Sequence, residues 1–219
     1  MPVKKLDIIY EDKYIVVINK PTKYLTIATD KEREKTLYNE VSAYLKKKHK
    51  SNKVFVVHRL DRDTSGVIIF AKDIKTKNIL QDNWEKYAYK RLYVALIKGK
   101  ITPKEKVLKN KLLETKTNLV YVDDLSKYGK TAITKYELIK YVNNNSLVNI
   151  EIKTGRKNQI RVQLYNYGYP VIGDFKYGKV KSQYNRLMLH ANKVYFIHPI
   201  TKEELVFEAR LPKEFKTLF

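Results

Sequence analysis

Nine short apolar runs, rich in β-branched and aromatic residues, are spread along the whole chain at residues 6–10, 15–18, 54–57, 67–70, 92–97, 132–142, 147–152, 188–197 and 204–208. Such runs suit strands, and most are too short for helices. Helical periodicity stands out in three places. Thr36 can cap a helix in which Leu37, Val41, Tyr44 and Leu45 recur at i, i+4, i+7 and i+8 before the basic run Lys46-Lys47-Lys48. Asp73 can cap a second, running through Ile79, Leu80 and Trp84, and a third covers 159–167 with Gly168 as its C′ residue. Asn143-Asn144-Asn145, between two strand-like runs, reads as a hairpin turn. Many strands with a few segregated helices predict an α+β fold on a mixed, largely antiparallel central sheet flanked by helices and loops. Seven Gly and six Pro are scattered singly, with no linker or fixed-period repeat, so residues 1–219 are expected to form a single domain.

Charge narrows the partner. There are 45 Lys and Arg against 23 Asp and Glu, a formal net charge of +22, more than solubility needs and best offset by an anionic partner such as nucleic acid. Part of the excess is also what a Lys-, Asn- and Tyr-rich composition from an AT-rich genome would produce. No run is long and apolar enough to span a membrane, and the start, Pro2-Val3-Lys4-Lys5, lacks a signal-peptide pattern. The chain is therefore expected to be soluble, cytoplasmic and, having no amphipathic zipper, monomeric. With no Cys and four His, disulfides, iron–sulfur clusters and thiolate zinc are excluded, and little remains for any other transition-metal site.

Between the apolar runs 54–57 and 67–70 lies the polar turn His58-Arg59-Leu60-Asp61-Arg62-Asp63-Thr64-Ser65-Gly66. A carboxylate placed among guanidinium groups is favoured in its ionised form, which a nucleophile requires. The plainer reading is a turn in which Asp61 or Asp63 satisfies backbone N–H groups. The length and composition of the whole stretch favour chemistry.

That stretch resembles the signature of the RluA-type RNA pseudouridine synthases, H-R-L-D-x-x-T-S-G, at every fixed position. Further similar segments follow in order. Residues 9–12 and 17–21 resemble the family's opening strand pair, with Lys20-Pro21 as structural support, and 90–96 resembles its K-x-Y strand. Residues 154–162 resemble T-G-R-x-H-Q-I-R-V, and 168–174 and 189–191 complete the series. The resemblance covers nearly the whole chain and implies the pseudouridine synthase fold with an active-site cleft across the sheet. It implies the catalytic domain alone, without an N-terminal S4 RNA-binding domain.

The resemblance implies isomerisation of uridine in rRNA or tRNA to pseudouridine. The N1–C1′ bond breaks, the uracil rotates, and C5 bonds to C1′, so no cofactor or metal is expected. Asp61 would be the essential carboxylate; attack on C1′, addition to the base and a glycal route all remain open. The target base must leave its stack, and Arg59 would fill the vacated space. Tyr93 would pack on the flipped uracil and relay a proton, and Arg161 would pair with Asp61. His58, Arg62 and Arg156 are candidate RNA contacts, Arg156 to a phosphate. The runs 46–50 and 176–181 are candidate guide surfaces. Asn158 and Gln163 stand where the family often has His and are expected to affect RNA positioning; Thr22-Lys23 replaces a usual small residue and Gly. Two readings compete: a non-catalytic RNA-binding or RNA-folding factor that keeps the fold, and a metal-dependent nuclease using Asp61 and Asp63, in which Arg59 and Arg62 would oppose the cation.

Overall fold

The computed structural model describes residues 6–29 and 32–219. The start read above as lacking a signal pattern, residues 2–5, lies outside the described residues. In chain order the elements are β1 (Ile8–Glu11), β2 (Ile15–Lys20), α1 (Leu37–Lys48), β3 (Phe55–Val56), β4 (Ser65–Ala71), α2 (Ile74–Asp82) and α3 (Trp84–Tyr87). Then come β5 (Lys90–Lys98), β6 (Glu105–Glu114), β7 (Val120–Val122), β8 (Lys130–Val142), β9 (Asn145–Ile152), α4 (Gln159–Asn166), β10 (Leu189–Ile197), β11 (Glu204–Glu208) and α5 (Lys213–Lys216). Contacts divide the chain into two compact units, Met1–Tyr89 with Ala191–Arg210, and Lys90–His190 with Leu211–Phe219.

In the first unit β2 pairs antiparallel with β1 and β4, β3 pairs with β4, and β11 with β10. Every residue of β4 is buried, and Ile15, Val17, Val67, Ile69, Phe196 and Phe207 form one apolar cluster. The run at 54–57 contributes only two residues to the ladder. Thr36 caps α1 as expected, its Oγ1 accepting from Asn39 N at 3.2 Å, and Leu37, Val41 and Leu45 are fully buried. Tyr44 instead stays half-buried and donates its hydroxyl to Glu11 at 2.8 Å. Asp73 caps α2 through Thr76 N at 2.8 Å. That helix does not continue through Trp84: Asn83, at φ −138° and ψ 38°, leaves helical geometry and starts a separate turn.

In the second unit the order β5-β9-β8-β6-β7 is antiparallel throughout. The hairpin between β8 and β9 turns on Asn143 and Asn144, at φ 47° and 60°, the left-handed pair of a type I′ turn. Glycine at the second position removes the left-handed penalty, so Asn144→Gly is expected to raise the urea midpoint by the equivalent of about 0.5 kcal/mol. Gly168 (φ 91°) closes α4 as expected, in a Schellman motif: Gly168 N donates to Tyr165 O at 3.0 Å and Tyr169 N to Leu164 O at 2.9 Å. The sequence reading overlooked β6 and β7. Along β6 only Leu108 and Leu112 are buried, with Asn110 between them, so the two-residue apolar alternation that marks a strand is interrupted.

Gly66 ends the polar turn for a geometric reason. Its φ is 116°, and a Cβ there would lie 2.1 Å from the carbonyl oxygen of Ala191. Only a residue without a side chain lets β4 begin at that place.

Candidate active site

Of the sequence-predicted residues, His58, Arg59, Asp61 and Arg62 belong to the first unit, and Tyr93, Arg156 and Arg161 to the second. The first group occupies the connection from β3 to β4. Arg59 and Arg62 are exposed, whereas His58, Asp61 and Asp63 are half-buried. Thr64 N donates to Asp61 O at 3.2 Å and closes a turn over residues 61–64. Arg62 Nε lies 3.2 Å from Asp63 Oδ1.

The path of this loop is fixed through its carbonyls. Lys20, fully buried at the end of β2, donates its ammonium to Pro21 O at 3.0 Å, Tyr24 O at 2.7 Å and Arg62 O at 3.0 Å. Tyr24 N also reaches Arg62 O, Thr22 Oγ1 donates to Asp63 O at 2.6 Å, and Thr26 Oγ1 to Leu60 O at 3.0 Å. A buried ammonium is stable only when its protons find acceptors, and here three carbonyls supply them. This is the physical content of the Lys20-Pro21 support expected from the sequence. The Thr22-Lys23 departure has a local consequence: Lys23 sits at φ 62°, a left-handed conformation that costs about 1–2 kcal/mol without glycine. Burial, and then the carboxylate of Glu40 to which its hydroxyl donates, push the Tyr24 phenol well above its ordinary range, so it remains neutral beside the loop.

His58 works as a support. Its Nε2 accepts from Ile69 N at 2.9 Å, so the ring is unprotonated at that nitrogen, and it stacks on Trp84 with centroids 4.1 Å apart and planes 19° from parallel. The break of α2 at Asn83 frees Trp84 for this stack. Neither contact was legible in the motif.

In the second unit Tyr93 lies on β5 opposite Ile150 of β9, half-buried and packed against the apolar cluster that includes Val94 and Leu96. Arg161 does not snorkel to solvent. It is 6% exposed, and its guanidinium grips Asp174 with two bonds, Nε to Oδ2 at 2.7 Å and Nη2 to Oδ1 at 2.8 Å. Nη1 donates to Asn158 Oδ1 at 2.8 Å, and the Tyr177 ring lies under the guanidinium carbon at 5.2 Å. Asp174 Oδ1 also accepts from the backbone N–H groups of Lys176 and Tyr177 at 3.0 and 2.9 Å. One buried carboxylate therefore fixes both an arginine and the turn after it.

Asp174, Tyr177 and Asn158 are the residues that sequence reasoning missed in this role. Asp174 lay in a recognised segment, and a buried arginine requires a carboxylate, but no spacing rule links position 161 to 174. Asn158, the N-cap of α4, makes no side-chain cap bond: from a left-handed backbone (φ 54°) its Oδ1 holds Arg161 and its Nδ2 reaches the Tyr177 hydroxyl at 3.2 Å. Gln163 faces the sheet: it is 1% exposed, accepts from Thr134 Oγ1 at 2.7 Å and donates to Leu108 O, Asn110 Oδ1 and Ala132 O. Gln163 is thus buried against the sheet and tied to two of its strands, β6 and β8. Gln159 ties the start of α4 to the preceding loop through Thr154 Oγ1 and Arg156 N, at 2.8 and 3.0 Å. Arg156 is exposed, with Nε on Thr131 O at 3.1 Å. Of the basic runs, Lys48 is taken up by Glu11 at 2.8 Å and Lys176 by Asn118 O at 2.9 Å, while Lys46, Lys47, Lys50, Lys179 and Lys181 are exposed. Among the described residues no helix is long and apolar enough to cross a membrane.

The chain is 38% identical over 216 residues to the Bacillus subtilis (strain 168) protein described as an uncharacterized RNA pseudouridine synthase, YhcT, covering 98% of this chain and 71% of that one. It is 30% identical over 242 residues to tRNA pseudouridine synthase C of Haemophilus ducreyi, covering 98% and 95%. With ribosomal large subunit pseudouridine synthase C of Buchnera aphidicola subsp. Baizongia pistaciae it shares 35% over 223 residues, covering 96% and 69%. The fold matches human RNA Pseudouridylate Synthase Domain Containing 4 with a TM-score of 0.79 at 23% identity, over 95% of this chain and 90% of that one. The model of the RNA pseudouridylate synthase family matches residues 14–166, a span that holds the Asp61 loop, Tyr93 and the helix of Arg161. That match, joined to relatives at 30% identity and above along nearly the whole chain, places the protein in the RNA pseudouridylate synthase family, as an isomerase.

Proposed function

We propose that the protein isomerises specific uridines in ribosomal or transfer RNA to pseudouridine, with Asp61 as the essential carboxylate. The observation that carries this reading is the loop of residues 57–64, held by Lys20, Thr22 and Thr26 through its carbonyls while Arg59 and Arg62 are exposed on either side of Asp61. A catalytic carboxylate needs such a rigid mount, because small errors of placement are costly in rate. In this reading the target uridine is flipped from its stack, and the planar guanidinium of Arg59 takes the vacated space. Tyr93 packs on the uracil and relays a proton, and Arg161, anchored by Asp174, serves the same carboxylate chemistry. His58, Arg62 and Arg156 contact the RNA, Arg156 at a phosphate, and His58 also steadies the loop. The two units act as one catalytic domain, on a monomer in the cytoplasm, without cofactor or metal.

The relatives named for rRNA and for tRNA support both substrate classes, and the net charge of +22 supports a polyanion. Forming the C5–C1′ bond expels the hydrogen on C5, so RNA transcribed with uridine tritiated at C5 reports turnover as released tritium. Wild-type protein is expected to release tritium from bulk unmodified RNA, with and without EDTA. Binding without release would point to an RNA-folding factor, and release of nucleotides that EDTA stops would point to a nuclease.

A further inference from the structure

A groove of about 330 Å³ opens in the second unit where β6 leaves β8 and pairs with β7. Val120, 4% exposed, is part of its apolar floor. Tyr128, 87% exposed, also lines it and so leaves its ring open to a partner. Lys130, Arg156 and Lys157 lie along the walls. Lys157 is neutralised by Glu114 and also donates to Asn118 Oδ1 at 2.9 Å, which leaves Lys130 and Arg156 as the charge the groove offers. Arg156 spends its Nε on Thr131 O, a bond that orients the guanidinium plane. The size lies at the low end of ligand sites, roughly 300–1,000 Å³, suited to one nucleotide and not to a duplex.

An exposed ring beside two cations over an apolar floor is the combination that holds unstacked bases of single strands: the ring stacks on any base and the cations take the backbone. We propose that this groove binds one unstacked nucleotide of the substrate RNA outside the uridine that is isomerised, its base on Tyr128 and its phosphate between Lys130 and Arg156. The proposal rests on the reading of the protein as an enzyme of RNA. The exposed position of Tyr128 means that its substitution leaves the core untouched.

Titrating the full chain with a single-stranded oligouridylate of about 12 nucleotides tests it, with stacking worth enough that Tyr128→Ala is expected to weaken binding about tenfold while Tyr128→Phe binds as wild type. Lys130→Ala is expected to lower the slope of log affinity against log salt by about 0.7, the value for one lost single-strand phosphate contact. If wild type releases tritium from bulk RNA but Tyr128→Ala binds oligouridylate as tightly as wild type, the groove assignment is overturned and the isomerase reading stands. An equal loss on a duplex of the same length overturns the single-strand assignment. Wild type that neither binds oligouridylate nor releases tritium overturns both.

Discussion

Asp61→Asn is expected to fold, to bind RNA with wild-type affinity, and to release no tritium from C5-labelled RNA. The amide matches the carboxylate in shape, so the carbonyl ties from Lys20, Thr22 and Thr26 that hold the loop are unaffected. What is lost is the negative charge and the lone pair, on which attack at C1′, addition to the base and glycal formation all depend. Removing a residue that carries the covalent or proton-transfer step costs about 10⁴-fold or more in rate. Single-turnover release with enzyme in excess separates this from a binding defect. Near-wild-type turnover by Asp61→Asn would end the case for this aspartate, whatever the family.

Asp174→Ala is expected to be strongly destabilising. It leaves the guanidinium of Arg161 buried without its two charge-assisted bonds, and leaves the N–H groups of Lys176 and Tyr177 without their acceptor. Breaking a buried pair from one side costs about 3–5 kcal/mol, a large part of a typical stability of 5–15 kcal/mol. In urea this is a midpoint fall of about 2 M at a slope near 2 kcal/mol/M. Replacing both partners, Arg161→Met with Asp174→Leu, is expected to recover only part of that stability: no charge is left buried, but the N–H groups of Lys176 and Tyr177 and the Oδ1 of Asn158 still lose the partners named above. The double variant should nonetheless stay inactive. Recovered activity would show that Arg161 is structural only.

Much of the fold was legible in the chain because helices and strands carry their burial pattern locally. Thr36, Asp73, Gly168 and the Asn143-Asn144 turn could each be assigned from neighbours within a few positions, and each occupies its predicted place. Prediction failed where a polar side chain faced inward. Asn110 on β6 hid a strand, because its partner is Gln163, 53 residues away in sequence. The helix expected to continue through Trp84 breaks at Asn83, and the ring stacks on His58, a contact 26 positions away that no local pattern reports.

The candidate site divides along the same line. Composition and the motif at 58–66 sufficed to set the partner's charge, the family and the aspartate to test, since those depend on residue type and short spacing. They did not reveal that Lys20 holds the carbonyl of Arg62 across 42 positions, that Asp174 anchors Arg161 across 13, or that Gln163 is a core tie. A buried charge or amide must find its partner somewhere, but which partner depends on how distant segments pack, and periodicity reports only which face is buried. Residue type named the chemistry of the Asp61 loop; packing chose the side chains that hold it still.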